Sequence, residues 1–159
     1  MAIEDTYNGA LSAMTFMNAY IKTVAEEIGM DKAVGLLTKM CESMGAVQGK
    51  ILKEKAGAEE LDVPAAWSLV KAVPEGIGIE LDVIKESQEE IVVKTGRCPL
   101  YSAGQMLGMD NNTIETMCRN GAARLMDTMT KELNPNLSYE LRKFRSGKDD
   151  FCEEAIIQG

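Results

Sequence analysis

Four cysteines are the residues best able to do chemistry in this chain: Cys41, Cys98, Cys118 and Cys152. Cys98 precedes Pro99, which opens a helix after a strand-like stretch. A thiol there sits near the positive end of a helix dipole, which lowers its pKa and makes it reactive at neutral pH. A small buried hydrophobe beside a rigid proline fits the same position. Cys152 follows the turn Gly147-Lys148-Asp149-Asp150. Asp149 and Asp150 are therefore candidates for a catalytic base or for orienting groups, or are the polar residues of a hairpin turn. Cys118 and Cys41 lie on apolar helical stripes, where a buried structural thiol is the default. Cys98, Cys118 and Cys152 can converge as three thiolates if the helix carrying Cys118 packs on the sheet. Such a set would hold zinc or an iron–sulfur cluster, although no C-x-x-C spacing is present.

The chain contains no histidine. That removes Ser–His and Cys–His nucleophile pairs, His-ligated haem and His-containing zinc sites. A general base must be a carboxylate, Lys, Tyr or Cys. The net charge of −8 argues against a nucleic-acid surface, which needs clustered Lys and Arg. Arg142, Lys143 and Arg145 form the one basic group, enough for a small anion. Eleven methionines against 5% aromatic residues suit an irregular core or an adaptable ligand pocket. Glu4 and Asp5 interrupt any signal peptide, and no run approaches the ~20 apolar residues of a membrane span. A reducing cytoplasm, no membrane partner and free thiols are the expectation.

These residues need elements to position them. Apolar residues recur at three- and four-residue steps from Tyr7 to Ile28, predicting one long helix, and from Val34 to Ile51, predicting a second with Asp31 as its cap. Gly35, Gly45 and Gly49 inside the second helix each cost ~1 kcal/mol against Ala, so a close backbone neighbour is expected to compensate. A second copy of the chain could supply it, and a homo-oligomer is expected. Residues 64–73 read as a short helix with Asp62 near its start and Trp67 inside. From Ile77 the period becomes two, predicting a strand through Val83, and residues 91–95 predict its return. A short helix follows from Pro99 to Leu107. Asn112 and Glu115 read as a capping box that opens a third long helix running to Leu133. Residues 137–144 and 151–157 close the chain as a hairpin. The expected fold is α+β: one domain over 1–159, with residues 1–75 mainly helical and 76–159 supplying an antiparallel sheet of about four strands.

The run Cys98-Pro99-Leu100-Tyr101 after a strand, Cys118 within a helix, and the turn 147–152 ending in Cys152 together resemble the L-2-amino-thiazoline-4-carboxylic acid hydrolase-like family. A more distant likeness is to 4-vinyl reductase type ligand-binding domains. The resemblance covers residues 76–157. It implies that Cys98, Cys118 and Cys152 are the marked cysteines, with Asp149 and Asp150 beside the last, and that the activity is hydrolytic opening of a small sulfur- and nitrogen-containing ring.

Three readings follow. The chain is a cysteine-centred domain that binds a small apolar or tetrapyrrole-like molecule, with zinc or an iron–sulfur cluster on Cys98, Cys118 and Cys152. Alternatively it is a hydrolase with Cys98 as nucleophile and Asp149 or Asp150 as base. In the third, it is a structural or partner-binding protein whose cysteines are inert.

Overall fold

Two long amphipathic helices open the chain in the computed structural model, which describes residues 2–159. α1 (Ile3–Ile28) and α2 (Met30–Ala56) are separated by Gly29 alone, at φ 90°. That backbone conformation is open to glycine and strained for other residues. Gly29 itself is the N-cap of α2, with no side-chain cap bond. Asp31, expected as the cap, lies inside the first turn, where its charge still favours the helix dipole. Asp62 does cap α3 (Val63–Val70), its carboxylate accepting from the Ala65 N–H at 2.9 Å. A short α4 (Ala72–Gly76) follows.

The strand expected from Ile77 begins later. β1 spans Leu81–Glu86 and pairs with β2 (Glu90–Thr95). Gly78 explains the delay: it takes φ 77°, and a Cβ there would lie 2.9 Å from Tyr7 Cα. The segment therefore turns under α1 before it can extend. α5 (Pro99–Met106) comes next. The third long helix is two helices, α6 (Asn111–Asn120) and α7 (Ala122–Leu133), divided at Gly121. A side chain at Gly121 would meet Leu37 Cδ2 at 3.1 Å, so the break lets α2 pass. The cap of α6 is Asp110, which accepts from the Thr113 N–H at 2.7 Å, ahead of the expected Asn112–Glu115 box. β3 (Leu137–Lys143) and β4 (Cys152–Gln158) complete a four-stranded antiparallel sheet in the order β1-β2-β4-β3.

Register decides which side chains meet. Thr95 pairs with Cys152, Val93 with Glu154 and Ile91 with Ile156, while Tyr139 and Leu141 of β3 face Ile156 and Glu154. Directly paired residues share a face, so these side chains all point towards the helices. One end of that face is packed solid: Ile91, Val93 and Ile156 meet Val63 and Val70 of α3 and Leu133 of α7. The other end, from Glu154 towards Thr95, is not. β3 is an edge strand, and its Tyr139 N–H finds the buried Asp127 carboxylate of α7 at 3.0 Å. That bond ties the sheet edge to the helix layer.

The glycines of α2 have a partner within the chain. A Cβ at Gly45 would lie 2.5 Å from the Leu125 carbonyl oxygen, and one at Gly49 would lie 2.8 Å from that of Met129. Both face α7, so the close neighbour is not a second copy. Gly35 has no neighbour within 4 Å of such an atom. The apolar stripe of α2 divides accordingly: Leu37 and Cys41 are buried, while Met40, Met44, Val47 and Ile51 stay exposed. Among the described residues no helix is long and apolar enough to cross a membrane.

Candidate ligand-binding site

The unpacked end of the sheet opens into a cavity of about 320 Å³. Its roof comes from α1, α2, α6 and α7, its floor from β2, β3 and β4. Six methionines border it: Met14, Met17, Met40, Met44, Met117 and Met126. A polar cluster sits at the sheet end, where Thr95, Tyr139, Arg145 and Glu154 lie beside the thiols of Cys98, Cys118 and Cys152, while Asn18 and Gln48 line the helical wall. The apolar wall and the clustered polar end give the cavity the form of a site for an amphipathic small molecule.

Glu154 is held by both neighbouring strands. Its Oε2 accepts from the Tyr139 hydroxyl at 2.7 Å and from Thr95 Oγ1 at 3.0 Å. Burial raises its pKa, against the two hydroxyl hydrogen bonds and the nearby Arg145, which lower it. The Tyr139 hydroxyl is pushed well up by its own burial and by Glu154. Arg145 is buried. Its guanidinium donates to the Thr95 carbonyl at 3.0 Å, to the Gly96 carbonyl and to Cys152 Sγ at 3.4 Å. It also lies over the Tyr101 ring, 4.9 Å from the centroid. The three basic residues near the C-terminus do not converge. Arg142 pairs with Glu90 and Lys143 with Asp150, so only Arg145 turns inward.

Cys98 is the N-cap residue of α5, as expected. The predicted lowering of its pKa does not follow. Burial pushes the thiol up to about 11, outweighing the Tyr101 and Leu100 N–H groups and Arg145. The helix dipole acts only over its first turn, whereas loss of water acts on the whole thiolate. Cys118 is raised further by burial and by its neighbours Cys98, Cys152 and Glu154, and Cys41 is raised by burial. At neutral pH these three are protonated thiols.

Cys98, Cys118 and Cys152 thus border one cavity. Cys98 also borders a second depression with Asp149 and Asp150, and Tyr101 and Arg145 line both. Asp150 is committed to its turn: its carboxylate accepts from Lys143 at 2.7 Å, from the Ser146 N–H at 2.9 Å and from the Ser146 hydroxyl at 3.0 Å. The Lys143 bond and the Ser146 and Phe151 N–H groups hold it far below the usual carboxylate range, which makes it a weak base. Asp149 is exposed. As a donor set the three thiols and Glu154 suit zinc by type. Among the described residues, however, no three such side chains are arranged to hold an ion. Arg145 already donates to Cys152, and the protonated thiols would first have to ionise.

Thr95, Tyr139 and Glu154 are functional candidates that the sequence reading passes over, and Arg145 appears there only within a basic group for a small anion. Period two along β4 carries the signal, since Cys152, Glu154 and Ile156 share one face and a carboxylate stands between two inward residues.

Two solved structures share this fold. The phenol-responsive sensory domain of the transcription activator PoxR, solved with phenol, superposes with a TM-score of 0.62 at 12% identity, over 91% of this chain and 74% of that one. Trafficking protein particle complex subunit 3 from Naegleria fowleri, covalently bound to palmitic acid, gives 0.58 at 15% identity, over 92% and 95%. No curated protein matches the sequence. The family model described as L-2-amino-thiazoline-4-carboxylic acid hydrolase matches residues 9–154, and the chain therefore belongs to that family.

Proposed function

We propose that this protein is a small-molecule-binding domain whose ligand lays an apolar body against the methionines and a polar end against Glu154 and the thiols. The observation that carries this reading is the cavity itself, about 320 Å³ of space with mostly apolar walls and a polar cluster at its sheet end. Proteins of the same fold hold phenol and palmitic acid, both apolar bodies with a polar end. A homologous series of 4-alkylphenols, from methyl to hexyl, tests it by calorimetry. Each added methylene is worth ~0.8 kcal/mol of burial, so affinity rises about fourfold per carbon until the cavity is full. Ala122→Phe, which fills the cavity from α7, brings the plateau to a shorter chain. Silence across the whole series overturns the reading.

The hydrolytic reading keeps Cys98 as nucleophile, and the family description supports it. It requires a ligand or metal that draws the proton from a thiol held at about 11. Cys98→Ser abolishes ring opening of 2-aminothiazoline-4-carboxylate in that reading, and unchanged turnover excludes Cys98. The metal reading rests on the three thiols that share one cavity. About one zinc per chain, lost in Cys118→Ala, supports it; metal-free folded protein that takes up no added zinc or iron overturns it.

A second copy of the chain is the proposed partner. Phe16 and Tyr20 of α1 are 80% and 66% exposed, and Leu36 and Val47 of α2 are each 57% exposed. Met40, Met44, Val47 and Ile51 recur at steps of four, three and four, the spacing by which two helices pair. Because Met40 and Met44 also border the cavity, the covering copy closes over its wall. A dimeric mass that Val47→Lys converts to monomer supports this arrangement, and a monomer at high micromolar concentration refutes it.

A further inference from the structure

We infer that Glu154 selects the ligand, its Oε1 accepting a hydrogen bond from a neutral hydroxyl on an otherwise apolar molecule. The inference rests on the cavity reading and names the chemistry at its polar end. Glu154 lies on β4 with a paired strand on either side, β2 and β3. Thr95 from the first and Tyr139 from the second both donate to Oε2. Both of these hydrogen bonds end on Oε2, and the side chain lines the cavity. Two bonds to one oxygen fix the carboxyl group and leave the other oxygen to whatever fills the space.

Arg145 does not compete for that oxygen. Its hydrogen bonds go to the Thr95 and Gly96 carbonyls and to Cys152 Sγ, all formally uncharged acceptors. The polar end therefore holds a guanidinium and a carboxyl group, separately anchored. A cationic ligand would meet the guanidinium as well as the carboxylate and gain little. A neutral donor keeps the Oε1 bond without that opposition. An alcohol or phenol with an apolar tail fits these terms, and a ligand without a donor covers Oε1 and leaves it unpaired.

The test compares 4-ethylphenol with 4-ethylanisole, which has the same body with its donor capped. Wild-type protein binds the phenol about five- to tenfold more tightly, the range for one hydrogen bond. In Glu154→Gln the amide oxygen takes the Tyr139 and Thr95 hydroxyls and turns the NH2 group into the cavity. The preference for 4-ethylphenol is then lost, and 4-methylacetophenone, an acceptor, gains. Wild-type protein that binds phenol and anisole within about twofold overturns the role of Glu154 while the cavity reading stands. So does a Glu154→Gln protein with its preference intact. If neither compound nor any alkylphenol binds, the cavity reading falls and the selection falls with it.

Discussion

Gly45 and Leu125 approach so closely that a Cβ on the glycine would stand 2.5 Å from the leucine carbonyl oxygen. Backbone cannot yield as a flexible side chain does, so Gly45→Ala must push α2 and α7 apart. The expected loss is about 1–3 kcal/mol, the usual cost of overpacking. Gly35→Ala provides the opposite sign on the same helix. Nothing lies within 4 Å of its added carbon, and alanine gains up to ~1 kcal/mol of helix propensity. Urea unfolding of the two variants checks both signs.

Cys98 is expected to be slow towards thiol reagents in the native, ligand-free protein. Raising a thiol from 9.0 to about 11 removes about 100-fold of its thiolate near neutral pH, because each pKa unit is a factor of ten. Labelling with a disulfide reagent, followed by peptide mass analysis, measures the rate at each cysteine. A rate for Cys98 near that of a free thiol would mean that the helix dipole and Arg145 outweigh burial after all.

Asp127 holds the edge strand. Its Oδ1 accepts from the Tyr139 N–H at 3.0 Å in a buried setting, and Oδ2 meets Lys131 at 2.8 Å. Asp127→Ala strands that N–H and is expected to cost about 1–3 kcal/mol. Asp127→Asn keeps an acceptor and costs less. Hydrogen exchange at Tyr139 reports the local effect directly, with fast exchange in the alanine variant and protection in the asparagine one.

Glu154 makes stability depend on pH. Its folded pKa is raised by burial, so between the unfolded and folded values the native state binds the extra proton. Stability therefore falls as pH rises through that window, starting from about 4.3. Glu154→Gln removes the titration. Relative to wild type, the variant gains in melting temperature on going from about pH 4 to pH 7. A difference that stays constant across that range would show that Glu154 titrates alike in both states.

The helices were legible because their cause is local. Period 3.6 over α1 and α2, Asp62 before α3 and Pro99 opening α5 are properties of short stretches of chain. Boundaries failed where a distant element intruded. Gly78 turns because Tyr7 of α1 lies against it, and Gly121 breaks a helix because Leu37 of α2 crosses there.

The same division runs through the site. Sequence alone established the α+β order of elements, the lack of histidine, the Cys-Pro helix start and the cysteines that could take part, since residue type and spacing decide these. Tertiary structure alone decided that all four thiols border one cavity, with Cys98, Cys118 and Cys152 at its sheet end, because strand register and helix packing set which side chains meet. It raised Cys98 where its position at a helix start predicted lowering, since desolvation depends on every surrounding element. It also set Glu154 between Thr95 and Tyr139, hydroxyls 59 and 15 residues away in the chain.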